Sequence, residues 1–261
     1  MNSLDGRTAL ITGATGYLGR EIALALGNAG ATVLVNARSP ENCNALVAEL
    51  RAQGLSADAA IFDLTDEVAV ENYFAGFGNA RPLHILVNNA HSGGGGTLAT
   101  ARAEEFRAVY EINVVAAHRM MQLALPHFRL AVAQSGDASI INVISMYGLV
   151  SPDLRNYDTA QGTNPPFYGA AKAGLAQLTR YAAVEFGPQG IRCNGVAPGP
   201  FPSPQARDGA PALMERLTER VPLGRLGRAR EIGPPISFLA SPGASFITGA
   251  ILPVDGGWTA W

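Results

Sequence analysis

Two cysteines, Cys43 and Cys193, are too few for a disulfide framework, and no CxxC pair offers a metal or redox motif. A reducing cytoplasmic setting is therefore expected. Charge is scarce as well. Asp, Glu, Lys and Arg make up 15% of the 261 residues, and 19 basic against 21 acidic side chains leave a net charge of −2. Nucleic-acid binders usually carry a basic excess to neutralise phosphates, so no nucleic-acid partner is expected. The histidines His84, His91, His118 and His127 show no metal-ligand spacing, and no metal is expected either. MNSLDGRTALITG does not read as a secretory leader, because Asp5 and Arg7 precede only a short apolar run. The longest uncharged stretch lies between Glu231 and Asp255. Pro234, Pro235, Pro242 and Gly243 divide it, so it reads as a buried helix, a turn and a strand rather than a membrane span.

What is present is apolar material, 48% of the chain, which is too much for disorder. Short β-like runs alternate with longer helical patterns. The strands are expected at Thr8 to Thr12, Thr32 to Asn36, Ala57 to Phe62, Ile85 to Asn88, Ser139 to Ile144, Ile191 to Val196 and Ala250 to Val254. Val, Ile and Leu recur in them without polar alternation, as in strands covered on both faces. Helices are expected at Leu18 to Ala29, Glu41 to Gln53, Glu67 to Phe77, Glu104 to Ala133, Tyr168 to Phe186 and Arg230 to Leu239. Each gap suits a right-handed crossover between parallel strands. The fold class is thus α/β, a doubly wound parallel sheet of the Rossmann type, with 1–261 as a single domain. Two segments break the rhythm: His91 to Gly96, which reads HSGGGG, and the turn-rich Ser151 to Pro166. Both follow strand ends, where such sheets bind ligands.

The first strand runs into Thr12-Gly13-Ala14-Thr15-Gly16-Tyr17-Leu18-Gly19 and then a helix. Glycines there let the backbone approach a pyrophosphate, which the free N–H groups of the helix start would bind. Gly13, Thr15, Gly16, Tyr17, Leu18 and Gly19 are accordingly candidate cofactor contacts. The second strand ends at Asn36-Ala37-Arg38-Ser39, with no acidic residue to hold the ribose hydroxyls. Arg38 offers a fork of donors suited to a 2′-phosphate, which favours NADP(H) over NAD(H). Asp63 either accepts from the adenine amine, with Leu64 as an apolar contact, or else Asp63 or Thr65 caps the next helix.

Tyr168-Gly169-Ala170-Ala171-Lys172 places a phenol and an ammonium on one helix face. A nearby cation lowers a phenol's pKa, so Tyr168 could exchange protons with a carbonyl or alcohol. Ser145, at the end of the fifth strand, can hydrogen-bond the same oxygen.

In order along the chain, TGATGYLG, Asn88-Asn89-Ala90, Asn113, Ser145, Tyr168 with Lys172, NGVAPG at Asn194 to Gly199, and GAILPVDGG at Gly249 to Gly257 resemble the motifs of the short-chain dehydrogenase/reductase family, in its short single-domain branch. The resemblance implies that Tyr168 is the general acid/base. Lys172 would lower its pKa and bind the nicotinamide ribose, and Ser145 would polarise the carbonyl. Asn113 would hold a water that relays protons. Asn89 and Ala90 would lie along the cofactor. Pro198, Gly199 and Phe201 would border the nicotinamide, with Ser203 near its carboxamide. A homotetramer is also implied, with the helices bearing Asn113 and Tyr168 packing between subunits, and apolar faces such as Val114, Ala117 and Met121 are the sequence's own support for it.

Three departures stand out. The middle glycine is Gly16, with Tyr17 in the family's usual glycine place, a spacing similar to that of the longer sugar-nucleotide branch. His91 replaces the glycine of NNAG and either lines the site or faces solvent, the second being the expectation. The interval from Ser145 to Tyr168 is long, and Asp153, Arg155, Asn156 and Asp158 within it suggest a polar substrate such as a sugar acid, polyol or keto-sugar. The glycine run after His91 would instead leave room for a bulky one, and an apolar keto compound or an acyl thioester stays open as a substrate. Residues Phe201 to Arg220 read as a lid that is irregular through Pro200, Pro202, Pro204 and Pro211 and then a short amphipathic helix at Leu213 to Val221. The leading reading is an NADP(H)-dependent oxidoreductase acting on a small carbonyl or alcohol. The alternatives are a non-catalytic NADP(H)-binding sensor or scaffold, against which the tyrosine–lysine pair argues, and a sugar-nucleotide epimerase or dehydratase.

Overall fold

Apolar residues on both faces of the inner strands demand two cores, and the computed structural model, which describes residues 3–78 and 80–261, has them. The strands are β1 (Thr8–Ile11), β2 (Thr32–Ala37), β3 (Ala57–Ile61), β4 (Ile85–Asn88), β5 (Ala138–Val143), β6 (Ile191–Pro198) and β7 (Ile251–Val254). The helices are α1 (Tyr17–Asn28), α2 (Pro40–Ala52), α3 (Glu67–Phe77), α4 (Ala103–Tyr110), α5 (Ala116–Ser135), α6 (Pro166–Phe186), α7 (Pro204–Gly209), α8 (Pro211–Arg220) and α9 (Gly233–Ala240). The strands form one parallel sheet in the order β3-β2-β1-β4-β5-β6-β7. Chain direction across the sheet reverses between β1 and β4, and the crevice beyond the strand ends opens there.

Consecutive residues of β1 face opposite cores. Ile11 belongs to one core, which also holds Ile22 and Leu26 of α1, Leu50 of α2 and Ile236 of α9. Leu10 belongs to the other, which also holds Phe74 of α3, Met120 and Phe128 of α5 and Phe186 of α6. Each such large side chain, removed from water, contributes about 1.5–3 kcal/mol. A buried polar chain locks the register of the elements that carry the site. Asn88 Nδ2 donates to Asn142 Oδ1 at 2.8 Å, and Asn142 Nδ2 donates to Thr179 Oγ1 at 2.8 Å. This ties β4, β5 and α6 together about three turns along α6 from Tyr168.

The structure differs from the sequence reading in two helical regions. The helix expected over Glu104 to Ala133 is interrupted by a π-helical turn, Glu111–Val115. Asn113 sits in it, and its Nδ2 donates to the Val109 carbonyl at 2.9 Å, side chain bonding backbone where the ladder opens. The segment after Phe201 is not irregular. Pro204 and Pro211 fall in the first turns of α7 and α8, where a missing N–H costs nothing, so they start helices rather than prevent them. Ala117 and Met121, expected between subunits, are buried within this chain, whereas Tyr181 and Val184 of α6 are exposed. Among the described residues, no helix is long and apolar enough to cross a membrane.

Candidate active site

A cavity of about 1210 Å³ runs along the carboxyl ends of the strands, from the glycine turn after β1 to Ser145 and Tyr168. The turn is built by close approach. Gly13 has φ +61°, and a Cβ there would lie 2.9 Å from Ala90 Cα. A Cβ on Gly19 would lie 2.3 Å from the Gly13 carbonyl oxygen. Two asparagines brace the loop. Asn89 Nδ2 donates to the carbonyls of Thr12 and Gly13, both at 3.0 Å, and Asn36 Oδ1 accepts from the Gly13 N–H at 3.4 Å. Asn89 thus acts first as a brace for the turn. Gly16 is different: it is the N-cap of α1 with φ −74°, an ordinary extended conformation, and a Cβ would meet the Gly13 oxygen at 3.3 Å. Tyr17 is simply the first helical residue. Gly16 therefore meets no steric demand as tight as those at Gly13 and Gly19.

No side chain caps the start of α1, so its first N–H groups are free for an anionic group. Across the cavity, the Arg38 side chain is 77% exposed at the end of β2, with Asp63 Oδ2 at 3.8 Å. A free helix start, a glycine cradle and an exposed guanidinium together fit a dinucleotide that carries an extra phosphate. Asp63 Oδ1 accepts from the N–H and the hydroxyl of Thr65, both at 2.8 Å. Neither Asp63 nor Thr65 caps α3. That role falls to Asp66, which accepts from the Ala69 N–H at 3.0 Å.

At the other end, Ser145 follows β5 and caps a short 3₁₀ turn, its Oγ accepting from the Tyr147 N–H at 3.1 Å. Tyr168 lies in the first turn of α6 and Lys172 one turn on. Lys172 is buried, its Nζ donating to the Val143 carbonyl at 2.8 Å and lying 5.7 Å from the centre of the Tyr168 ring. Burial brings the Lys172 pKa down to about 7. Burial also raises the phenol of Tyr168, and the Ser145 hydroxyl beside it pulls the other way. This corrects the sequence reading, in which the ammonium lowers the phenol's pKa. Here the loss of solvent is the largest influence, and it is the Ser145 hydroxyl that opposes it.

Asn113 is the one predicted site residue outside this cavity. It is buried behind it, with Thr12, Asn88, Ala90 and Ile112, around a much smaller cavity. Two oxygens there, Asn88 Oδ1 and Asn113 Oδ1, have no protein hydrogen-bond donor. Gly13, Thr15, Gly16, Tyr17, Leu18, Gly19, Arg38, Asp63, Leu64, Asn89, Ala90, Ser145, Tyr168, Lys172, Pro198, Gly199, Phe201 and Ser203 all line the main cavity. Ser203 also caps α7, accepting from the Ala206 N–H at 3.3 Å. Sequence reasoning missed Asn36, Ser39 and Asn42, which line the cavity too, as does Ser92 of the segment expected to border a site. A polar residue ending the apolar run of β2 is the signal that could have found Asn36.

His91 does not simply face solvent. It lines the cavity, and its ring meets that of Tyr168 edge to face, with centroids 6.3 Å apart and planes at 72°. Crowding by protein and then the charge of Lys172 push its pKa below the usual imidazole value.

The polar groups of the 151–166 insert point to α8 instead. Asp153 pairs with Arg155 and Arg220, while Arg216 donates to the Asn156 carbonyl and to Asp158, both at 2.8 Å. None of these lines the main cavity. Within the glycine run, Gly95 serves packing: a Cβ there would fall 1.8 Å from the Gln161 carbonyl oxygen, so it lets this loop lie flush against the insert, whereas Gly93 has open space around it.

The family model described as Enoyl-(Acyl carrier protein) reductase matches residues 13–259. The chain is 35% identical over 259 residues to the 3-oxoacyl-[acyl-carrier-protein] reductase FabG of Pseudomonas aeruginosa, covering 98% of each. It is 33% identical to the 7alpha-hydroxysteroid dehydrogenase of Escherichia coli, covering 97% of this chain and 94% of that one. Among solved structures it resembles a gluconate 5-dehydrogenase from Burkholderia cenocepacia in complex with NADP and tartrate. The TM-score is 0.87 at 31% identity, covering 100% of this chain and 98% of that one. The Pseudomonas aeruginosa RhlG/NADP active-site complex gives a TM-score of 0.88 at 33% identity, covering 98% of each chain.

Proposed function

The chain belongs to the short-chain dehydrogenase/reductase family, and from that membership we propose how its own residues divide the work of an NADP(H)-dependent carbonyl–alcohol oxidoreductase. The observation that carries the reading is one cavity with two chemistries: a glycine cradle facing Arg38 at one end, and Ser145, Tyr168 and Lys172 at the other. NADP(H), when bound, supplies or takes up the hydride at the reacting carbon. Tyr168 gives its phenolic proton to the carbonyl oxygen on reduction and takes it back on oxidation. Ser145 hydrogen-bonds the same oxygen and stabilises the charge that develops on it. Lys172, with a pKa near 7, replaces the proton that Tyr168 gives up, and it also binds the nicotinamide ribose. Asn113 holds a water through its unpaired Oδ1, a source of protons behind the cavity. Gly13, Gly16 and Gly19 bring backbone against the pyrophosphate, and Arg38 binds the 2′-phosphate. Leu64, Asn89 and Ala90 line the cofactor's path, with Pro198, Gly199, Phe201 and Ser203 bordering the nicotinamide.

The substrate is a small carbonyl compound or the matching secondary alcohol. Mixing the protein with NADPH and a panel of ketones tests this. Loss of the near-ultraviolet absorbance of NADPH, matched by alcohol formed, supports it; an isomerised product with no net cofactor consumption contradicts it.

Residues 1–261 act as one domain in this reading. The protein assembles as a homotetramer, supported by the exposed Tyr181 and Val184 on α6, and light scattering that returns a monomer contradicts this. It works in the cytoplasm, which is consistent with two buried, unpaired cysteines.

A further inference from the structure

The imidazole of His91 has a hydrogen-bonding capacity that neither the fold nor the proposed chemistry uses. It is exposed on the wall of the main cavity, at the end that holds Ser145 and Tyr168. Its edge-to-face contact with Tyr168, at 6.3 Å between centroids, is direct ring contact. A substrate whose carbonyl oxygen meets the phenol therefore has its neighbouring carbons beside this imidazole.

Which partner the imidazole selects follows from its two nitrogens. The Ser92 backbone engages one ring nitrogen. Among the described residues, no other hydrogen bond takes the second nitrogen. In a neutral imidazole, a nitrogen bonded to a carbonyl is the N–H, and the other then carries a lone pair. The ring is kept neutral by crowding and by the positive charge of Lys172. The free position is thus an acceptor, which matches a hydroxyl and not a second carbonyl or an ether. No arginine of α8 competes as a carboxylate anchor, because Arg216 and Arg220 are already paired with Asp158 and Asp153.

We propose that His91 is a specificity-determining residue that accepts a hydrogen bond from a hydroxyl on the carbon next to the reacting carbonyl, so that the site selects α-hydroxy ketones and, in the reverse direction, 1,2-diols. A polyhydroxylated keto acid meets this requirement through its hydroxyl, whatever its carboxylate does. The inference rests on the carbonyl–alcohol reading of the same site and adds the substrate feature that is recognised.

The test compares kcat/KM for NADPH-driven reduction across matched ketones that differ at one position: 2-hydroxycyclohexanone, 2-methoxycyclohexanone and cyclohexanone, with an open-chain set of the same pattern. The wild type should prefer the hydroxy ketone over its methoxy partner by about tenfold or more, the ratio set by one hydrogen bond to an acceptor on the cavity wall. In His91→Phe the ratio should fall to within about twofold, because the flat ring remains but the lone pair is gone. His91→Gln, whose amide oxygen still accepts, should keep part of the preference. An unchanged ratio in His91→Phe, or no preference in the wild type, overturns the inference while leaving carbonyl reduction in place. No NADPH oxidation with any ketone of either set overturns the carbonyl–alcohol reading and the inference with it.

Discussion

Lys172 Nζ is hydrogen-bonded to the Val143 carbonyl at 2.8 Å, so the ammonium is anchored to the end of β5 and not to the phenol of Tyr168. The side chain is buried, and that single carbonyl is its hydrogen-bond partner among the described residues. The consequence is electrostatic. A cation held this way is costly, and its pKa of about 7, against 10.5 in water, expresses that cost.

Stability should therefore depend on pH through this one residue. Because the folded pKa is depressed, the unfolded chain binds the extra proton between about 7 and 10.5. Stability contributed by Lys172 accordingly rises with pH across that window and is lost as pH falls toward 7. In urea unfolding of the unliganded protein at about pH 6 and about pH 9, Lys172→Met should lower the gain at the higher pH by about 1–3 kcal/mol. An identical pH dependence in the two proteins would show that Lys172 is not a buried, weakly solvated cation.

The glycines of the turn should differ sharply in tolerance. Gly19→Ala forces a Cβ to 2.3 Å from the Gly13 carbonyl oxygen, against backbone that cannot yield without distorting the turn. Its NADPH affinity should fall by about tenfold or more, since a shift of the turn spoils several N–H contacts together. Gly16→Ala meets the same oxygen at 3.3 Å from an ordinary φ, and its affinity should change by no more than about threefold. Fluorescence titration measures both. Equal losses would mean that the glycine pattern, rather than the two tight positions, governs binding.

Arg38→Ala should separate the two coenzymes. The guanidinium is exposed and, among the described residues, its only ion pair is a loose one with Asp63 at 3.8 Å, so little holds it away from a phosphate. NADPH binding should weaken by about tenfold or more, the value of a charge-assisted hydrogen bond, and NADH binding by less than about threefold. Titration with each coenzyme decides it. Parallel losses would remove Arg38 as the phosphate reader.

Much of this was legible in the chain itself, because it depends on local patterns. Apolar runs such as Ile85–Asn88 become strands whose faces are both covered, and Tyr168 and Lys172 share a face because four residues make about one helical turn. What was hidden depends on residues distant in sequence. The polar side chains of the insert look free until Arg216 and Arg220 of α8 take them up. The π turn around Asn113 lies inside an unbroken amphipathic pattern, and only the bond to Val109 marks it. His91 resembles a surface residue until the fold brings it to Tyr168. The direction of the Tyr168 shift could not be read from spacing, because burial is a property of the whole cavity wall.

The central claim is that the phenolic oxygen of Tyr168 exchanges the proton with the substrate. Tyr168→Phe removes that oxygen and leaves the ring in its contact with His91. The account predicts NADPH affinity within about threefold of wild type and kcat/KM for ketone reduction lower by about a hundredfold or more, the usual weight of a positioned acid. Wild-type-like turnover in Tyr168→Phe, with NADPH still bound, would contradict it.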